Sequence, residues 1–190
     1  MTYSQDDFDA ALSALRRGGV ILYPTDTVWG IGCDATDEEA VERIFRIKRR
    51  ADSKAMLSLI DCAEALEGYV DPEAASASIK VIDPARPTTV IYPKVRNIAA
   101  PLVADDGSAG FRISREEFSR ELCRQLGRPV VSTSANISGR PAPASFSEID
   151  DEIKAAMDYV VIHGRESDGL ATPSRIVKLN PDGTVAVIRP

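Results

Sequence analysis

Apolar positions along the chain alternate between helical spacing and short unbroken runs, so helices and strands are predicted in turn. Phe8, Ala11, Leu12 and Leu15 fall at i, i+3, i+4 and i+7, the stripe of an amphipathic helix. Ser4 with Asp7 predicts a capping box at its start, and Gly18-Gly19 a stop. Val20 to Tyr23 reads as a buried strand, and Pro24-Thr25-Asp26-Thr27 breaks the pattern before Val28-Trp29-Gly30-Ile31-Gly32. Thr36 with Glu39 predicts a second capping box, opening a helix whose inner face is Val41, Ile44, Phe45 and, at its end, Lys48.

Met56 to Ile60 is the next predicted strand, followed by short helices over 61–67 and 72–82, the second started by Pro72. Thr88 to Tyr92 and Gly110 to Ile113 are β-rich. Ser114 with Glu117 predicts a third capping box, for a helix that turns Phe118, Leu122 and Leu126 inward and closes at Gly127. Val130 to Thr133 is a strand, 147–157 a helix, and 159–163 and 174–179 strands. Asn180-Pro181-Asp182-Gly183 joins the last of these to Thr184–Arg189 as a hairpin. The segment 94–109, with Pro101 and Asp105-Asp106-Gly107, is expected to be the most mobile loop. Without linker or repeat, the expected architecture is one α/β domain over 1–190 with a mixed parallel and antiparallel sheet and flanking helices. A domain of this length buries roughly 70% of its unfolded surface and needs no disulfide or metal to fold.

Composition narrows the chemistry. Apolar residues at 44% and charged residues at 27% exclude wholesale disorder. No apolar run reaches membrane-spanning length, and the polar, acidic stretch Met1 to Asp9 is neither signal nor transit peptide, so the cytoplasm is the expected compartment and no membrane partner is expected. Net charge −6 argues against a surface that coats nucleic acid, but leaves room for a local basic pocket. Cys33, Cys62 and Cys123 form no C-x-x-C and are expected to be free thiols. With His163 as the single histidine, histidine metal sites and histidine-dependent triads are nearly excluded. Gly30-Ile31-Gly32-Cys33-Asp34-Ala35 matches G-x-G-x-x-A, yet the following helix is predicted to start at Thr36, past the glycines, and Pro24 interrupts the strand that should lead in. No phosphate-binding G-x-x-x-x-G-K-[ST] loop is present.

Positive charge is concentrated where anions would be held. Arg46, Lys48, Arg49, Arg50 and Lys54 fall within nine residues. Offsetting a helix dipole accounts for Lys48 and Arg49 but not for the run's continuation to Arg50 and Lys54, directly before a strand. Ser132-Thr133-Ser134-Ala135-Asn136-Ile137-Ser138-Gly139 follows a buried strand, and small hydroxyl and amide side chains in a turn leave backbone N–H groups open to phosphate or carboxylate oxygens. Thr25-Asp26-Thr27 points the same way. So does Arg112, which lies between Phe111 and Ile113 and whose buried guanidinium needs an anionic partner.

These residues carry a resemblance. Tyr23-Pro24-Thr25-Asp26-Thr27-Val28-Trp29-Gly30-Ile31-Gly32 is similar to the YPTETVYGLG signature of the YrdC-like family, the threonylcarbamoyl-AMP synthases. Lys48-Arg49-Arg50 resembles its K-x-R, and Ser134-Ala135-Asn136 its S-x-N within an STSANxSGxP context reaching Pro141. The correspondence runs from about residue 10 to Pro190 and resembles the short family form, without an additional C-terminal domain. It implies a twisted α/β sheet around a positively lined cavity, where L-threonine, bicarbonate and ATP become threonylcarbamoyl-AMP and pyrophosphate. The product would feed a separate threonylcarbamoyl-transferase complex acting on tRNA. Carried over by position, Lys48 and Arg50 are the catalytic pair and hold the nucleotide phosphates with Ser134 and Asn136. Thr89 and Arg189 are further nucleotide contacts. Thr25, Arg112 and Ser132 seat threonine, with Arg112 on its carboxylate, and Lys54 and Ser174 line the same pocket. Mg²⁺ would arrive with ATP, bound through phosphates and waters and not by protein ligands.

The chain departs from the family pattern at three places. Arg86 in Ala85-Arg86-Pro87 replaces a glycine, Leu59 stands where many members have histidine, and Arg175 replaces a usual threonine. Two other readings compete: a module that grips tRNA or double-stranded RNA without turnover, and a paralogue acting on another carbamate.

Overall fold

The computed structural model describes residues 2–49, 56–167 and 173–190. Its helices are α1 (Gln5–Arg16), α2 (Glu38–Lys48), α3 (Pro72–Ile79), α4 (Glu117–Leu126) and α5 (Asp151–Ala155). The strands are β1 (Ile21–Tyr23), β2 (Gly30–Gly32), β3 (Leu57–Ile60), β4 (Thr88–Tyr92), β5 (Ala109–Ile113), β6 (Val130–Ser134), β7 (Tyr159–Val160), β8 (Arg175–Leu179) and β9 (Val185–Arg189). Among the described residues they form one sheet in the order β7-β1-β2-β6-β3-β5-β4-β8-β9. The pairs β1/β7, β3/β5 and β4/β8 are parallel and the others antiparallel, as the expected mixed sheet requires.

The period-2 alternation of the strands sorts side chains to two faces. Ile21 and Tyr23 of β1 and Val130 of β6 pack beneath α1 and α4 against Phe8, Leu12, Leu15, Phe118 and Leu122. Their neighbours Leu22 and Val131 face the other way, onto Val41, Ile44 and Phe45 of α2 and Ile153 of α5. A third cluster joins Val90 and Tyr92 of β4, Phe111 of β5 and Val177 of β8 to Leu66 and Val70.

None of the three expected capping boxes forms. Ser4 precedes α1 without a side-chain bond. Asp7 turns inward, where its carboxylate accepts from the Tyr159 hydroxyl (2.7 Å) and the N–H groups of Ile162 (2.9 Å) and His163 (2.8 Å). Those two amides are thereby withdrawn from the ladder, so the strand expected over 159–163 stops at Val160. Asp37, not Thr36, caps α2 through the Ala40 N–H (3.1 Å). Glu116, not Ser114, caps α4 through Phe118 and Ser119 (2.9 and 2.6 Å). In both places a carboxylate makes the stronger, charge-assisted cap, and a negative charge at a helix N-terminus is favoured by the dipole.

Other differences are local. The helix expected over 61–67 is a 3-10 turn, Glu64–Gly68, and α3 ends at Ile79. The helix expected over 147–157 is split into a 3-10 turn, Phe146–Glu148, and α5, with extended backbone at Ile149 and Asp150 between them that leaves both Ile149 and Ile153 buried. Segment 94–109 holds a 3-10 turn, Ala100–Leu102, fastened by the Ala99 N–H to Ala35 O bond (2.8 Å) and by burial of Ala99 and Leu102. Cys33 and Cys123 are buried, Cys62 is half-buried, and all three are free thiols. Among the described residues no helix is long and apolar enough to cross a membrane.

The glycines of β2 serve close packing. A Cβ on Gly32 would sit 2.4 Å from Val131 O and 2.6 Å from Tyr23 Cε1. The bare strand lets the Tyr23 ring lie across it and donate its hydroxyl to Val131 O at 2.9 Å. Gly32→Ala is therefore expected to destabilise the fold by about 1–3 kcal/mol, as overpacking does. Urea unfolding checks this, and an unchanged midpoint would show that the strand yields freely.

Candidate functional site

β5 places the central cation. Phe111 faces the core, so the same period-2 rule turns Arg112 to the opposite side, into a hollow of about 290 Å³. That volume is just below the range for small-molecule sites, about 300–1,000 Å³. Arg112 is 3% exposed, and its Nη2 lies 2.9 Å from Oδ1 of Asp26, itself 6% exposed, in the turn between β1 and β2. Nη2 also donates to Thr27 Oγ1 at 3.3 Å. Among the described residues both Asp26 oxygens and Arg112 Nε are buried with no hydrogen-bond partner, so the contact is an ion pair.

The turn carrying Asp26 is shaped by Thr25. Its hydroxyl donates to Val28 O (2.6 Å) and accepts from the N–H groups of Thr27 (3.2 Å) and Val28 (3.3 Å). Thr27 and Val28 line the 290 Å³ hollow, whereas Thr25 lines a smaller hollow behind it, of about 150 Å³, beside His163.

β6 supplies the opposite wall. Ser132 and Ser134 line the hollow, and the strand runs into the Ser134-Ala135-Asn136 turn. Lys48, the last residue of α2, is 1% exposed and reaches that turn: its Nζ donates to Ser134 O in a very short contact and to Asn136 O at 2.7 Å. In return Ser138 N–H donates to Lys48 O at 2.9 Å. The two stretches that the sequence marks as anion-binding therefore meet directly. Arg49 closes α2 in the left-handed region (φ 50°, ψ 40°), a conformation costing a non-glycine residue about 1–2 kcal/mol. Asn136 Nδ2 donates to Ile137 O and Arg140 O, while its Oδ1 is buried without a donor.

The third wall comes from β4, β8 and β9. The hydroxyls of Thr89 and Ser174 are 2.9 Å apart, and Arg189 donates from Nε to Ser174 O (2.8 Å) and from Nη2 to Ser174 Oγ (3.2 Å). Ser174 and Arg189 line the hollow, and Thr89 is buried. Arg86, one of the departures from the family pattern, donates to Pro190 O at 3.2 Å. Burial pushes the Arg112 guanidinium pKa below its usual value; the Asp26 carboxylate opposes this and the Arg189 charge adds to it. Arg189 is lowered by partial desolvation and then by the charge of Arg86. Arg112 and Arg189 thus bring two positive charges to one hollow, with the Asp26 carboxylate beside the first.

Of the residues marked from sequence, Arg112, Ser132, Ser134, Ser174 and Arg189 share one hollow. Lys48 and Asn136 lie in the turn at its edge, and Thr25 and Thr89 stand behind its walls. Arg50 and Lys54 lie outside the described residues. Asp26 and Thr27 belong to the Thr25-Asp26-Thr27 stretch that points to an anion site, but no role of their own is legible there, because a lone carboxylate among basic residues gives no anion-site signal.

The fold is a mixed α/β sheet with a hollow lined by Arg112 and Arg189 over its strands. The sequence profile of the Sua5/YciO/YrdC family, described as "Telomere recombination", matches residues 13–190, and the chain belongs to that family. It is 37% identical over 173 residues to a threonylcarbamoyl-AMP synthase of Stenotrophomonas maltophilia, covering 88% of this chain and 91% of that one. To the synthase of Xanthomonas campestris it is 36% identical over 173 residues, with 90% and 91% covered. Among solved structures, a variant of P. abyssi Sua5 superposes with a TM-score of 0.84 at 27% identity, covering 96% of this chain and 56% of that one. The complex of P. abyssi Sua5 with L-threonine gives 0.79 at 28%, covering 90% and 50%, so this chain spans about half the length of Sua5. E. coli YciO gives 0.82 at 27%, covering 98% and 89%.

Proposed function

We infer that this chain is a threonylcarbamoyl-AMP synthase, an enzyme that transfers the adenylyl group of ATP to the carbamate of L-threonine. The observation that carries the reading is 36–37% identity across about nine-tenths of the chain to synthases of that name. The cationic hollow supports it, since every participant in the reaction is anionic or carries a carboxylate.

The threonine amine and bicarbonate condense with loss of water to a carbamate, whose oxygen attacks the α-phosphorus of ATP and expels pyrophosphate. No protein nucleophile is required, so one histidine suffices. The chain's part is in-line positioning and neutralisation of charge. Arg112 takes the threonine carboxylate, with Ser132 and Ser174 on its polar atoms and Thr25 shaping the wall. The family pattern would add Lys54 to the same substrate and Arg50 to the phosphates. Ser134 and Asn136 receive the phosphates on the turn that Lys48 braces, and Thr89 and Arg189 complete the nucleotide side. Among the described residues no three His, Cys, Asp or Glu side chains are grouped to hold a metal, and Asp26 faces Arg112. Mg²⁺ fits as a companion of the ATP phosphates, where it would offset charge on the departing pyrophosphate. The product would pass, in the cytoplasm, to a complex that transfers the threonylcarbamoyl group to tRNA.

Pyrophosphate release from ATP is expected to require both L-threonine and bicarbonate, with serine a poorer substitute. Release indifferent to threonine would overturn the reading, serine preference would favour a paralogue, and salt-sensitive RNA binding without turnover would favour the RNA module.

A further inference from the structure

We propose that Asp26 is a positioning residue, anchoring one edge of the Arg112 guanidinium so that the other is presented to the carboxylate of the amino-acid substrate. The proposal rests on the reading of the hollow as a threonine site.

Two buried carboxylates in this chain make the contrast. Asp7 is a structural acid: its oxygens gather a hydroxyl and two backbone N–H groups. The Asp26 side chain is 6% exposed, yet among the described residues neither oxygen accepts a hydrogen bond, and the ion pair it makes there is with Arg112 at 2.9 Å. A buried acid kept only for the fold gathers donors, because an unsatisfied one costs stability. The Thr25–Val28 turn is knit by the Thr25 hydroxyl and backbone and draws no support from the Asp26 carboxylate. Among the described residues that carboxylate is thus presented to Arg112 alone.

Arg112 has a use for it. A long side chain loses rotamer entropy when held still, and a guanidinium recognises a carboxylate best when its planar fork is already aimed. Asp26 Oδ1 and Thr27 Oγ1 both engage Nη2, and among the described residues no hydrogen bond reaches Nη1. A planar fork keeps two carboxylates on separate edges, so the internal acid and the substrate's need not meet. Asp26 also supplies the negative charge that steadies Arg112 against burial and against Arg189.

The nearly isosteric Asp26→Asn variant is the test, read by calorimetric binding of L-threonine and, separately, of ATP. The threonine Kd is expected to rise at least about tenfold, the scale of one charge-assisted contact, and the ATP Kd to move less than about threefold. Asp26→Glu, which restores the charge, is expected to bind threonine more tightly than Asp26→Asn. A threonine Kd within about threefold of the unaltered protein, or equal losses for both ligands, would overturn the proposal. A substrate-free readout accompanies it: in the ¹⁵N spectrum, with Arg112→Lys assigning the signal, rotation about the Arg112 Cζ–Nε bond should be slow and should quicken in Asp26→Asn. Unchanged rotation overturns the anchoring role. Failure of the unaltered protein to bind threonine would overturn the functional reading alone, and the rotation would still decide Asp26.

Discussion

Arg112→Ala is expected to produce the largest loss, about 3–5 kcal/mol of folding stability, because it leaves the Asp26 carboxylate buried with no compensating charge. Among the described residues Asp26 accepts no hydrogen bond that could take the place of the pair. Urea unfolding measures this term. Threonine-dependent pyrophosphate release, assayed where the variant is still folded, is expected to fall at least about a hundredfold, the usual consequence of removing one preorganised donor. The loss should appear mainly in the threonine KM if the guanidinium acts on the ground-state carboxylate. A variant as stable and as active as its parent would remove Arg112 from the site and from the core.

Lys48→Ala is expected to cost about 2–4 kcal/mol in transition-state stabilisation, roughly 30- to 900-fold in kcat/KM for ATP. The reason is indirect. The ammonium is 1% exposed and spans the carbonyls of Ser134 and Asn136, so its loss strands two acceptors and releases the turn that offers the Ser134 hydroxyl to the hollow. Steady-state kinetics should show both kcat and the ATP KM affected and the threonine KM much less so. Lys48→Arg is expected to rescue little, since a planar five-donor fork does not match two carbonyls set around a compact ammonium. A Lys48→Ala enzyme with near-normal turnover would show that the turn holds its shape unaided.

The two stretches involved, α2 with its basic end and the Ser-Asn turn after β6, were legible because each is a local pattern. A helix stripe at i, i+3, i+4 and i+7 puts Lys48 on the inner face with Val41, Ile44 and Phe45, and all four are buried. Likewise Arg112 between Phe111 and Ile113 had to leave the core side of its strand. The helix caps were less legible. Ser4, Thr36 and Ser114 matched the capping pattern, but competition among nearby acceptors is settled in space, where Asp7 faces β7 and Asp37 and Glu116 stand closer to the free amides.

Sequence alone determined the alternation of helix and strand, the mixed sheet, and which residue types were available to hold an anion, because periodicity and composition are properties of neighbouring residues. Tertiary structure decided which of them meet. The pairing of Arg112 with Asp26 across 86 positions, and of Lys48 with the Ser134–Asn136 turn, depends on strand order β2-β6-β3-β5, which no local spacing encodes. Burial then fixes the outcome, since a charge withdrawn from water must find its counterpart wherever the sheet brings one within reach.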